Sequence, residues 1–397
     1  MRRFSAVMYA NAFLPHAVLL DATLVSSALA LLGASPVVVG AMTLLSNLTT
    51  VVSFLSAPLL LPLFRTRTRM VTVSSGAIVV GVAGMAGALM LPRGGGAIAA
   101  MVGSMALYQL ASGARGLPWA DLLREEIPRE VRIRIVTGSI VVSLLVATAA
   151  SWGVKLVLDS GLSFPASYLI VFGAVSASAA LGLVSVLALR RERPIGKAAD
   201  AASFFRLAAR ELANLRATPA VALALGSGVF FMLTSGTAGL YVSAGYLRDP
   251  TEMTRLFGQA LVVRSPVKAA ADFLAGRAAV RVGNKPVLLA ICAASAIAPL
   301  TSLFLPFSFT TLVLVATNLM PMFDPFMVNI LMNVSSDEEL PARSTIYNVL
   351  RLPLSLVLPL LGALVERSMP AFNAIVLGSA AMAALLAARL PAEADRN

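Results

Sequence analysis

The chain has 397 residues, of which 58% are hydrophobic and only 13% charged, and its formal net charge is +12. A mean hydropathy of +0.86 excludes a soluble globule, whose surface needs a far larger share of charged groups. A pI near 10.8 would point a soluble protein toward nucleic acid; here the basic residues sit in joints between apolar blocks, so nucleic acid is not an expected partner.

The apolar residues fall into about twelve blocks, each long enough to cross the hydrocarbon layer as a helix of roughly 20 residues. The first six run at about 5–32, 36–63, 70–92, 97–121, 135–158 and 164–188. The second six run at about 219–245, 253–276, 286–306, 309–333, 343–365 and 370–389. Arginines crowd alternate joints: Arg65, Arg67, Arg69; Arg124 to Arg134; Arg190 to Arg216; Arg277, Arg281, Lys285; and Arg343. The joints between hold only Arg93, Lys155, Arg248, Arg255 and Arg367. By the positive-inside rule both termini are expected in the cytoplasm and the number of spans is even, in the cell membrane. Met1, Arg2 and Arg3 lead into a span too long for a signal-peptide core and without an evident cleavage site, so no separate leader is expected. Cys292, the only cysteine, rules out an internal disulfide and thiol–metal clusters, and no metal or other cofactor is expected.

Ionisable groups deep in a bilayer cost several kcal/mol on insertion scales, about 2.5–3.5 for a central Arg, Lys or Asp, so they are the candidate functional residues. Span one carries Asp21 about midway, with Pro15 and His16 nearby. Asp21 reads either as a proton carrier or as the partner of a cavity cation, and His16 as a hydrogen-bonded core residue. Span four carries Arg115, with Asp121 further along, expected in an inner-gate network. The longest joint, about 190–217, reads as a short amphipathic interfacial helix. In it Phe204, Phe205, Leu207, Leu212 and Leu215 oppose a polar face of Arg206, Arg210 and Glu211. Span eight carries Arg264, Lys268 and Asp272, whose four-residue spacing puts them along one helical face. They line a cavity with a role in binding or coupling, or they form a structural ion-pair network. Span ten holds Asn318, Pro321, Asp324 and Pro325, a polar and bent element. Span eleven holds Asn348 and Arg351, for a gate salt bridge or for substrate contact. Asp21, Asp272 and Asp324 stand against Arg115, Arg264, Lys268 and Arg351 as the deepest groups, one cation more than acids, which favours an anionic or zwitterionic solute.

The halves look like copies. Ser35-Pro36 opens span two as Asp249-Pro250 opens span eight, each an N-cap followed by proline at the first helical position. Phe323-Asp324-Pro325-Phe326 before Arg343 corresponds to Gly116-Leu117-Pro118-Trp119 before Arg132. A six-plus-six repeat is a transporter signature.

At the joint between spans eight and nine stands Gly276-Arg277-Ala278-Ala279-Val280-Arg281-Val282-Gly283-Asn284-Lys285. It resembles the glycine–acid–basic–glycine–basic loop of the major facilitator superfamily. Pro62-Leu63-Phe64-Arg65-Thr66-Arg67 is similar to a degraded first-half copy. The start of span two (Leu32-Gly33-Ala34-Ser35-Pro36) and Ile127-Pro128-Arg129-Glu130-Val131-Arg132 also look like the family. Val280 stands where the family has an acid. The resemblance implies conformational roles for Arg65, Arg67, Gly276, Arg277, Arg281 and Gly283.

Together these readings give an all-α membrane protein of twelve transmembrane helices in two pseudo-symmetric six-helix bundles, with the major facilitator fold. Residues 1–189 form the first bundle, 190–217 a cytoplasmic linker, and 218–397 the second bundle. The expected function is secondary transport of a small anionic or zwitterionic solute by alternating access, coupled to protons, by a monomer in the lipid bilayer. The rivals are efflux of hydrophobic drugs and a non-transporting polytopic protein. No nucleophile elbow, P-loop or metal-ligand cluster is present in the sequence, so an enzyme is not expected.

Overall fold

A computed structural model describes residues 2–14, 16–20, 22–60, 63–64, 66–127, 129–189, 206, 209–216, 218–335 and 340–391. Asp21 and Arg65 lie outside the described residues, as does most of the linker, including Phe204, Phe205 and Leu207. The described chain is helical and divides into two compact units. The first comprises Met1–Ala34 and Leu45–Ala199, and the second comprises Ser35–Leu44 and Asp200–Asn397.

In the first unit the helices are α1 (Arg2–Ala12), α2 (His16–Leu19), α3 (Ala22–Leu31), the latter part of α4 (Pro36–Leu60), α5 (Arg67–Ala88), α6 (Gly95–Glu126), α7 (Arg129–Asp159) and α8 (Ala166–Leu187). In the second they are α9 (Pro219–Ser235), α10 (Ala238–Arg248), α11 (Pro250–Val282), α12 (Asn284–Ser295), α13 (Ile297–Phe304), α14 (Thr310–Leu319), α15 (Phe323–Asn333), α16 (Leu340–Ser355), α17 (Leu358–Arg367) and α18 (Met369–Ala388). Nine stretches among the described residues are long and apolar enough to cross a membrane. The spans missing from that set have local causes. The first is broken into α1, α2 and α3, only Pro36–Thr49 of the second is a described apolar stretch, and α11 carries Arg264, Lys268 and Asp272. Their places fit twelve spans.

Local chemistry sets several boundaries. Thr66 caps α5, its hydroxyl accepting from the Arg69 amide at 3.2 Å. Asp249 caps α11, one carboxylate oxygen accepting from the amides of Thr251 and Glu252, both at 3.0 Å, as expected from Asp-Pro at a helix start. Glu252 in that first turn accepts from Arg255 at 2.9 Å, and this hydrogen bond is the main reason its carboxyl lies below the usual range. Gly283 ends α11 at φ +92, a left-handed conformation a side chain would strain. Several spans are two helices rather than one: α9 gives way to α10 at Gly236 and Thr237, and α14 to α15 at a 3-10 turn, Met320–Met322.

Packing relies on small residues, since lipid tails leave little hydrophobic drive between helices and close van der Waals contact takes over. In the first unit α5 packs against α6 and α8, and α1 against α7 and α8. A cluster of Phe4, Met8, Val71, Leu122, Ile127 and Val186 closes around Trp119. In the second unit the first turns of α4 cross α17 backbone to backbone. A Cβ added at Gly40 would lie 2.8 Å from the Leu358 carbonyl carbon, and one at Gly362 would lie 2.6 Å from that of Pro36. Only hydrogen fits at both places.

The linker corrects one expectation. Residues 209–213 are helical and run into a 3-10 turn at Asn214–Arg216. Glu211, expected on the polar face, is buried, while Leu212 is exposed. Glu211 accepts from Arg343 Nε at 2.8 Å. That guanidinium also donates to the Val334 carbonyl at 2.6 Å and to the Ser335 hydroxyl at 3.1 Å. A matched guanidinium that also bonds neighbouring acceptors is what lets a carboxylate leave water.

Candidate functional site

Two polar clusters stand among apolar helices, one inside each unit. The first surrounds a cavity of about 260 Å³ between α1, α2, α5, α6 and α7, lined among others by Asn11, His16, Tyr108, Ser112, Arg115 and Trp119. Asn11 ends its helix with every side-chain group used. Its amide donates to the Val7 carbonyl and to the Ser185 hydroxyl, each at 2.9 Å, and its oxygen accepts from Arg115 at 3.4 Å. The Arg115 guanidinium also lies over the Trp119 ring, 5.0 Å from its centroid. Trp119 is held in turn against Phe4, with centroids 5.1 Å apart. His16 is buried with Nδ1 3.3 Å from the Ser178 hydroxyl, as a hydrogen-bonded core residue should be, yet it lines the same cavity.

The charge balance of this cluster decides its chemistry. Among the described residues, Arg115 meets the Asn11 amide oxygen and the Trp119 indole face, and neither carries a full negative charge. A guanidinium with neutral neighbours keeps its attraction for an anion, because no carboxylate there already matches its charge. The side chain of Asp121, the gate partner expected from sequence, lies outside the described residues.

The second cluster joins α15 to α16. Tyr347 donates its hydroxyl to Asp324 at 2.7 Å, and Arg351 donates to the other carboxylate oxygen at 3.2 Å. The Arg351 guanidinium also sits 4.9 Å from the centroid of the Tyr347 ring. The 3-10 turn at Met320–Met322 starts a new helix, so Asp324 falls in the first turn of α15. There the helix dipole favours its negative charge. Phe323 stacks on Phe231 beside it, centroids 4.0 Å apart and planes 9° from parallel.

The span-eight stripe resolves into separate parts. Lys268 and Asp272 pair with each other at 2.7 Å, both half-exposed. Arg264 is buried, and its carbonyl accepts from Asn318 at 3.3 Å. Asn348 is half-buried on α16. Gly276 lies within α11, Arg277 and Arg281 are exposed on it, and Arg67 is half-buried at the start of α5. Sequence reasoning passed over Asn11, Tyr108 and Tyr347. The Tyr347 signal was available, since it precedes Arg351 by one helical turn. Nothing in the primary structure marks Asn11, whose partners are 104 and 174 residues away.

No protein-family model matches the chain, and no curated protein matches it at the sequence level. Solved structures do match along nearly its whole length. A D-xylose-proton symporter superposes with a TM-score of 0.73 at 11% identity, covering 99% of this chain and 98% of the other. A variant of the nucleoside transporter NupG gives 0.67 at 13%, covering 98% and 99%. A variant of a peptide transporter POT gives 0.64 at 14%, covering 99% and 94%. Identity this low speaks to architecture alone.

Proposed function

We propose that this chain, a multi-pass membrane protein with the fold of the major facilitator superfamily transporters, is a secondary transporter of a small organic anion or zwitterion working by alternating access. The observation that carries the reading is the cavity at Arg115, where a cation on α6 faces neutral hydrogen-bonding and aromatic groups. Arg115 would hold the carboxylate or phosphate of the solute, Asn11 would orient the guanidinium, and Trp119 and Tyr108 would pack on its apolar part. The similar structures bear the names of D-xylose, nucleoside and peptide transporters, solutes that are uncharged or, for peptides, zwitterionic. The cation is what tips the present chain toward anionic groups.

Asp324 supports proton coupling. Protonation would remove the negative charge that Arg351 and Tyr347 share, freeing a half-buried guanidinium and a hydroxyl together. The experiment is a thermal-shift screen of purified protein against carboxylates, phosphates, amino acids and neutral sugars, followed by uptake into liposomes. Anions that raise the melting temperature should lose their effect in Arg115→Gln, because binding to the folded state is what stabilises it. Asp324→Asn should still bind but transport without response to an imposed pH gradient. Stabilisation by neutral, lipophilic compounds that persists in Arg115→Gln would favour drug efflux instead.

A further inference from the structure

The second unit contains a cleft of a different character. It has a volume of about 390 Å³ and lies between α11, α12 and the end of α14, with Ala275, Ala278, Pro286, Ala290, Ala294 and Met320 on its walls. Alanines on two facing helices create the space, because larger side chains would fill it. The one hydroxyl on the wall, Ser295, already donates to the Cys292 carbonyl at 2.7 Å. A polar solute would find no partner there. From Pro286 to Ser295 the wall follows α12 for about 13 Å at 1.5 Å per residue, close to the roughly 15 Å depth of one hydrocarbon leaflet.

The end of this cleft at the α11–α12 joint is cationic. Arg277 and Arg281 are exposed one helical turn apart on α11, beside Ala278 and Val282 of the wall. Gly283 then reverses the chain, so that Lys285 follows in the first turn of α12, where its ammonium donates to the Leu390 carbonyl at 2.7 Å. No acidic residue occurs in the sequence between Asp272 and Asp324. Val280, standing where the resembling loops carry an acid, is 78% exposed. The joint therefore presents cations beside an apolar slot of one-leaflet depth.

We propose that this cleft holds one acyl chain of an anionic phospholipid whose phosphate is bound by Arg277, Arg281 and Lys285. Charge selects the headgroup and the alanine-walled slot selects the chain, so both halves of the lipid are needed. The inference is independent of the transported solute.

Native mass spectrometry of the full-length protein in neutral detergent tests it. Phosphatidylglycerol and phosphatidylcholine with identical acyl chains are titrated separately. Phosphatidylglycerol should be retained about tenfold more strongly, and Arg277→Gln with Arg281→Gln should cut its retention by about fivefold per cation. Ala290→Leu, which fills the slot, should lower retention of both lipids. Ala275→Leu serves the same purpose should the first variant not yield monodisperse protein. Free glycerol phosphate should not displace the lipid. Equal retention of the two lipids, or a preference that survives loss of both arginines, would overturn the proposal. So would displacement by glycerol phosphate, which marks an anion site without a chain, or a dimer that dissociates on Ala290→Leu, which marks an interface between copies.

Discussion

Among the described residues, three cations of the second unit and Arg115 of the first are handled differently. In the second, Arg343 meets Glu211, Arg351 meets Asp324 and Lys268 meets Asp272. In the first, Arg115 meets an amide oxygen and an aromatic face. A guanidinium matched by a carboxylate inside the fold has little attraction left for a ligand; one held by neutral groups keeps most of it. Under the proposed function, the paired cations of the second unit set shape and switching, and Arg115 of the first holds the solute.

The sharpest way to break this comparison is to unpair the linker. Arg343→Ala would leave Glu211 as a buried carboxylate without its cation, at a cost of about 3–5 kcal/mol. Thermal unfolding followed by size-exclusion should show a large drop in melting temperature. The double variant Glu211→Leu with Arg343→Met should recover most of it. Next in size is Arg115→Gln. It should cost about 1.5–3 kcal/mol of anion affinity, the usual worth of a hydrogen bond to a charged group, while leaving the melting temperature of the unliganded protein unchanged or higher. A large loss of stability instead would show that Arg115 is a structural cation like Arg343. Smaller still is Gly362→Ala, where the added methyl meets the Pro36 carbonyl. Overpacking of this kind costs about 1–3 kcal/mol, read as a lower melting temperature. At the bottom is Glu252→Gln. The Arg255 hydrogen bond depresses the Glu252 carboxyl, so its contribution is present above the unfolded-state carboxylate pKa and lost as pH falls through the lower folded value. Because the group is exposed to water, the variant should show no measurable change in melting temperature between pH 7 and 5.

Much of the architecture was legible in the primary structure because span length and apolar content are local properties. The blocks expected at about 70–92 and 370–389 became Arg67–Ala88 and Met369–Ala388. The caps at Asp249 and the bend around Pro321 were local too, and both are present. The break at Gly236 and Thr237 falls without a proline, in a glycine-rich span where Leu358, from a distant part of the chain, lies close against Gly236. Burial of Glu211 was misread for a related reason: periodicity placed it opposite the leucines, and the deciding partner lies 132 residues away. The candidate site followed the same division. Charged residues could be picked out one by one, but whether each was neutralised depended on neighbours from other helices.

The 3-10 turn ahead of Asp324 gives span ten a mechanical property. A 3-10 residue rises about 2.0 Å and turns 120°, against about 1.5 Å and 100° for an α residue. Rewinding three residues into α-helix would therefore shorten the span by about 1.5 Å and rotate everything beyond it by about 60°. Such a screw motion would swing the carboxylate of Asp324 off both Tyr347 and Arg351 at once. The pitch of one turn can thus open or close the second cluster without moving the helix that carries its cation.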